Sequence, residues 1–185
     1  MIIIGITGTL GAGKGTIVDF LKEAYQFKHY SVRDYITQEI LRRNMEVNRD
    51  SMTMVANELR ANNSPSYITD QLYLQAKQNN ENCIIESIRT PGEISSLKGK
   101  ANFYLFAVDA DPKVRYQRIQ IRQSSTDHID YETFLSNEAR EMNTTDPNKQ
   151  NLLKCIQLAD FVFANDGDIA ALNENVNVVL KLITK

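Results

Sequence analysis

Tryptophan is absent from this 185-residue chain, cysteine and histidine occur twice each, and proline four times. The two cysteines, Cys83 and Cys155, lack metal-ligand spacing, and Cys83 inside the apolar run CII reads as a buried free thiol rather than half of a disulfide. No PCxxC occurs, which excludes a zinc-dependent deaminase. Charge of one sign is not in excess either: 21 Lys and Arg stand against 23 Asp and Glu, a net charge of -2. That balance argues against a nucleic-acid or membrane footprint, so neither is expected as a partner. No apolar run approaches the roughly 20 residues of a membrane span. The opening MIII is too short for a signal sequence and has no basic segment ahead of it. These features predict a cytoplasmic protein. A chain with 42% hydrophobic and 24% charged residues can build one domain, 1–185, around a sizeable core.

Glycine is scarce as well, yet five of the eight, Gly5, Gly8, Gly11, Gly13 and Gly15, fall in the first fifteen residues. They lie between an apolar run, residues 2 to 7, and a stretch from Lys14 to about Tyr25 in which Ile17, Val18, Leu21 and Ala24 recur at helical spacing. Further apolar runs at about 29 to 32, 82 to 87, 102 to 108 and 159 to 165 read as strands. The segments 34 to 43, 51 to 62, 66 to 79, 112 to 123, 130 to 143 and 168 to 183 read as helices. Alternation of this kind predicts an α/β fold of three layers, α/β/α, around a central five-stranded parallel sheet. The polar stretch QSSTDHID, 123 to 130, reads as a mobile connection, and DPNKQ, 146 to 150, as a solvated turn.

Gly8, Gly13 and Lys14 fit GxxxxGK between a strand and a helix, the context a phosphate-binding loop requires. Glycines let consecutive backbone N–H groups turn toward an anion, and the helix amino terminus adds its partial positive charge. A lysine there reaches the β- and γ-phosphates of a nucleotide. The motif points to a P-loop NTPase fold and by itself specifies nucleotide binding, not a reaction.

The ending departs from GK[ST], because Gly15 precedes Thr16. Gly8, Gly11, Gly13, Lys14, Gly15 and Thr16 stand in the pattern GxxGxGKGT, which resembles that of the nucleoside monophosphate kinases of the adenylate kinase type. The resemblance implies that the loop Gly8, Thr9, Leu10, Gly11, Ala12, Gly13, Lys14, Gly15 and Thr16 holds the donor, and that the Thr16 hydroxyl lies beside Mg²⁺. HYSVRDYI, 29 to 36, looks like the STGD segment of those kinases, which implies acceptor contacts from Ser31, Arg33 and Asp34. It departs from the pattern at Thr37, where relatives carry an arginine, and Arg33 is the candidate to compensate.

CIIESIRTPGE, 83 to 93, resembles DGFPRT of the same superfamily, and more closely the DGIR-P-E segment of an archaeal kinase-like group related to dephospho-CoA kinase. By that resemblance Glu86 serves the metal and Arg89 clamps the acceptor phosphate. Asp109, which ends the apolar strand NFYLFAVD, competes with Glu86 for the metal role, and pattern alone does not choose between them. Arg115, Arg118 and Arg122 share one helical face and read either as a solvated stripe or as the RIxxR segment entering a nucleotide kinase lid. The second reading implies that Arg118 stacks on the donor base and Arg122 reaches the transferred phosphoryl group. It also places a short lid at about 118–140 and an acceptor-binding helical region at about 33–80. Arg140, Arg60, Arg42 and Arg43 are weaker candidates, and His128 reads as a loop residue. Asn165, Asp166 and Gly167 are either a plain turn or, as in dephospho-CoA kinases, the turn beside the donor adenine.

The function these expectations describe is transfer of the γ-phosphoryl group of ATP to a small phosphorylated acceptor, a nucleoside or deoxynucleoside monophosphate. Dephospho-CoA as acceptor and a non-catalytic ATP-binding sensor or partner subunit are the alternatives.

Overall fold

Ile2–Gly8 forms a strand in which every residue after Ile2 is buried, as a strand must be when helices cover both faces of its sheet. The computed structural model describes residues 1–100, 102–122 and 128–184. In chain order the elements are β1 (Ile2–Gly8), α1 (Lys14–Tyr25), β2 (Lys28–Ser31), α2 (Val32–Arg42), α3 (Arg49–Asn62), α4 (Tyr67–Asn79), β3 (Cys83–Glu86), α5 (Pro91–Lys98), β4 (Asn102–Asp109), α6 (Pro112–Arg122), α7 (Tyr131–Met142), α8 (Leu152–Gln157), β5 (Phe161–Ala164) and α9 (Ile169–Ile183). The strands make one five-stranded sheet in the order β2-β3-β1-β4-β5, with every pairing parallel.

This order puts β1 at the centre, with β3 on one side and β4 on the other. The connections after β1 and β3 therefore leave the carboxyl edge of the sheet on either side of a topological switch point, where open α/β sheets bind ligands. Ile6 pairs with Glu86, Glu86 with Ser31, and Gly8 with Val108, so the ends of four strands meet at one edge. Gly5 belongs to the packing of this centre: a Cβ there would lie 2.6 Å from both Ile88 and Phe103.

Two apolar cores flank the sheet. Helices α2 to α5 and α8 cover one face with Ile36, Ile40, Val55, Ile68, Leu72, Ile94 and Cys155 among the buried residues. Helices α1 and α9 cover the other through Ile17, Leu21, Leu172, Val176 and Leu180. Burying each large aliphatic side chain contributes about 1.5–3 kcal/mol. Both cysteines are free and sit in the first core, where burial pushes each thiol up to about 12.

Two short helices, α5 and α8, escape periodicity because eight and six residues make too few turns to show a stripe. The proposed lid QSSTDHID lies outside the described residues at 123–127. Beyond it His128 is exposed and Asp130 caps α7 through the N–H of Thr133 at 2.7 Å. No described helix is long and apolar enough to cross a membrane.

Candidate active site

Gly8, Gly11 and Gly13 have φ of 142°, 78° and 106°, backbone that side chains rarely adopt, and their surroundings also forbid a Cβ. One at Gly8 would meet the Val108 carbonyl oxygen at 2.1 Å, one at Gly11 the Arg115 carbonyl oxygen at 2.5 Å, and one at Gly13 the Asn165 Nδ2 at 2.3 Å. Gly15 differs: it has no positive φ, and beyond its chain neighbours and its own helix backbone no atom of the described residues lies within 4 Å of a built Cβ. The space beside it belongs to a cavity of about 660 Å³ at the carboxyl edge of the sheet, lined by Gly11, Gly13, Lys14, Gly15 and Thr16.

The loop is held from behind. Thr9 Oγ1 donates to Asp109 Oδ1 at 2.5 Å, and Asp109 also accepts the N–H of Ala110 at 2.9 Å. Arg115, expected on a basic stripe, is buried instead: Nε donates to the Ala110 carbonyl at 2.7 Å, Nη1 to Leu10 at 3.3 Å, and its fork grips Glu138 of α7. Asn165 Nδ2 donates to the Ala12 carbonyl at 2.8 Å. Thr9, Ala12, Asp109 and Arg115 thus build the loop without facing the cavity.

Lys14 Nζ donates to the carbonyls of Gly8 and Thr9 at 3.0 and 2.8 Å. Burial, reinforced by Arg89, lowers its ammonium to about 8 against the partial support of Glu86 and Glu141. Glu86, also on the cavity lining, ends β3, accepts from Ser87 Oγ at 2.8 Å and lies 3.9 Å from His29 Nε2. Ser87 has φ of 72°, an uncommon backbone for serine that turns the chain sharply after β3. Ile88 then bonds its N–H to the Ile6 carbonyl at 3.0 Å and enters the core, while Arg89 faces the cavity. Glu86 lines the cavity and Asp109 does not, which separates two acids that the sequence leaves as rivals.

The arginines divide into two sides. Arg89 Nη1 donates to Glu141 and to Gln150 Oε1 at 2.7 Å, and Arg49 Nη2 donates to Glu141 Oε1 at 2.7 Å. Burial alone would raise the Glu141 carboxyl, but Arg89 and Arg49 outweigh it and hold it below its ordinary range. Two guanidinium groups on one carboxylate leave a net positive charge at the wall facing Lys14. Arg60 donates through Nε and Nη2 to Glu93 Oε1 at 3.3 and 3.0 Å, both side chains being almost wholly buried. On the other side Arg118 donates to the carbonyls of Asn165 at 2.8 Å and Gly167 at 3.3 Å. Arg122 and Arg33 also line the cavity.

The fold therefore brings Lys14, Gly11, Gly13, Gly15, Thr16, Leu10, Arg33, Glu86, Arg89, Arg118, Arg122 and Asn165 to one cavity. It does not bring Gly8, Thr9, Ala12, Ser31, Asp34 or Gly167 to its lining. Ser31 accepts the Asp34 N–H at 3.1 Å as the cap of α2, and Asp34 stands exposed, so local capping chemistry explains this pair without an acceptor. Arg42 and Arg43 pair with Glu39 on the surface, and Arg140 reaches Asp50 at 3.3 Å.

Sequence reasoning missed Arg49, Glu141 and Gln150. Gln150, expected in a solvated turn, is buried against Arg89. No local signal marks these residues, since their partners lie between 52 and 92 positions away. Glu93 did carry a signal: Thr90, Pro91 and Glu93 form a capping box with proline in the first turn.

The family described as AAA domain matches residues 4–146. A UPF0200 protein of Methanococcus maripaludis is 32% identical over 187 residues, covering 99% of this chain and 98% of its own. Among solved structures, shikimate kinase from Bacteroides thetaiotaomicron superposes with a TM-score of 0.57 at 14% identity, covering 97% of this chain and 98% of its own. Dephospho-CoA kinase from Campylobacter jejuni gives 0.53 at 14%, covering 98% and 96%. With its phosphate loop between β1 and α1 and its whole length aligned to the archaeal relative, the chain belongs to the AAA domain family and to the UPF0200 proteins, and has the P-loop kinase fold.

Proposed function

We propose that the chain transfers the γ-phosphoryl group of MgATP to a small phosphorylated acceptor, a nucleoside or deoxynucleoside monophosphate. The observation that carries this reading is that Lys14, Glu86 and Arg89 line one cavity and lie close enough that Arg89 and Glu86 both act on the Lys14 ammonium. A protein that only senses ATP needs the loop but has no use for further arginines, Arg89 and Arg122, in the same cavity.

The residues present fit the donor and its metal. The curled loop N–H groups and Lys14 match the β- and γ-phosphates. Open space beside Gly15 leaves room for the donor to approach the backbone. Magnesium keeps most of its waters and takes one or two protein oxygens, a demand that the Thr16 hydroxyl and the Glu86 carboxylate meet. When bound, it spreads the charge of the β- and γ-phosphates. Arg118, fixed to the Asn165 carbonyl, borders the position for the donor base.

An oxygen of the acceptor phosphate forms the new bond to the γ-phosphorus while the bond to the β–γ bridging oxygen breaks, leaving ADP. A phosphate monoester has its second pKa near about 6, so its attacking oxygen carries no proton at neutral pH and needs no general base. That agrees with the exposed position of His128. Arg89 holds the acceptor, and Arg122 and Lys14 neutralise charge on the equatorial oxygens. Arg33, on the cavity wall from α2, supplies the acceptor contact that Thr37 cannot.

Incubation with MgATP and a panel of ribo- and deoxyribonucleoside monophosphates plus dephospho-CoA, with products separated by chromatography, tests this reading. Phosphorylation of a monophosphate is expected. Dephospho-CoA as the sole acceptor, or ATP bound without any transfer, would overturn it.

A further inference from the structure

Helix α3 turns one face to the cavity, on which Arg49, Met52, Thr53, Ala56 and Arg60 recur at helical spacing. Arg60 is the unusual member. Its side chain is only 1% exposed, and its Nε and Nη2 are spent on Glu93, which is fully buried. Glu93 is saturated in turn, because its second oxygen accepts the N–H groups of Arg89 and Thr90 at 2.7 and 2.9 Å. Nη1 remains, buried and without a hydrogen-bond partner among the described residues. A buried donor left unpaired is costly, and native proteins seldom keep one without a use for it.

The charge balance tells what that donor suits. Around Glu141 two arginines share one carboxylate and leave a positive charge for an anion. Arg60 and Glu93 cancel, so Nη1 is an N–H donor with no net charge behind it. The same cavity is lined by Met52, Ala56 and, from α2, Val32 and Ile36, apolar side chains suited to the flat side of a ring. Such a donor matches a carbonyl oxygen on the ring edge and opposes an amino group, which is itself a donor.

The geometry points to Arg60 as the residue that selects the acceptor base, favouring bases with a carbonyl where adenine and cytosine carry an amino group: guanine, uracil and thymine. The inference rests on the proposed transfer to nucleoside monophosphates, and it assigns the phosphate to Arg89 and the base to Arg60.

Its test compares kcat/KM for GMP, UMP, dTMP, AMP and CMP in the wild type and in Arg60→Lys, which keeps the charge and loses the fork. The wild type is expected to favour the carbonyl bases by about tenfold or more, the worth of one good arginine–base contact, and Arg60→Lys to erase most of that preference through KM. AMP or CMP as the best acceptor, or an equal loss on every acceptor in Arg60→Lys, overturns the inference. Guanidinium NMR of the wild type, titrated with GMP and with AMP while a non-hydrolysable ATP analogue fills the loop, decides the matter if the variant fails to fold. A shift of the Arg60 signals with GMP alone supports the inference even if no acceptor is phosphorylated, an outcome that would overturn only the transfer reaction. No shift with either nucleotide overturns the inference itself.

Discussion

Among the described residues Lys14 bonds to two backbone carbonyls and to no carboxylate, so its side chain is poised for a ligand rather than committed to a salt bridge. Lys14→Ala should lower turnover about 10²-fold or more, the usual loss of a group acting on transition-state charge. Its melting temperature should stay near wild type, because the ammonium that is lost is already disfavoured by burial. Product formation and thermal melting check both halves, and a folded variant with full activity would remove Lys14 from the mechanism. The two acids at the sheet edge should part company in the same way. Glu86→Gln is expected to cut turnover about tenfold or more and raise the Mg²⁺ concentration needed for half-activity, as loss of an outer-shell partner does. Asp109→Asn weakens the Thr9 contact and should cost about 1 kcal/mol of stability with little change in Mg²⁺ dependence. Equal Mg²⁺ shifts in the two variants would contradict the division. At this scale the loop was legible, because consecutive residues carry it; Arg49 and Glu141 were not, because nothing near them in sequence announces a shared partner.

Helix α5 shows what an element can hide. Thr90 accepts the Glu93 N–H at 3.2 Å, and Glu93 returns a bond to Thr90 N–H at 2.9 Å, so the start of the helix satisfies its own donors. Thr90→Ala should therefore cost about 1 kcal/mol in chemical denaturation, the typical value of an amino-terminal cap. Glu93→Ala should cost about 3–5 kcal/mol, since it strands the Arg60 guanidinium in the core. If the two variants proved equally mild, the buried pair would have to be absent in solution. Ser31 and Asp34, expected as acceptor contacts, stand outside the cavity lining for a related reason: a serine before a helix finds its own capping bond whatever the ligand.

Across the molecule, Glu141 joins α7 to α3 and to the turn after β3, tying the segment beyond α6 to the wall of the cavity. Its carboxyl is held below the ordinary 4.5, so it contributes stability above that pH and loses the contribution as pH falls through the lowered folded value. Glu141→Gln should cost about 3 kcal/mol near pH 7, where two part-buried arginines lose their shared, buried counterion. The difference from wild type should shrink toward pH 3, read by urea unfolding at each pH; a constant difference would show that the ion cluster does not form. The sequence by itself determined the strands, the long helices, the parallel sheet and the phosphate loop. Those features depend on neighbours a few residues apart, through alternation, helical period and the freedom of glycine at positive φ. Only the tertiary structure decided that Glu86 rather than Asp109 faces the cavity, that Arg115 is a buried strut, and that Arg89, Glu141 and Arg49 form one cluster. Each of these depends on which side chains the β2-β3-β1-β4-β5 order brings together across distant parts of the chain, and on which ion pairs burial permits.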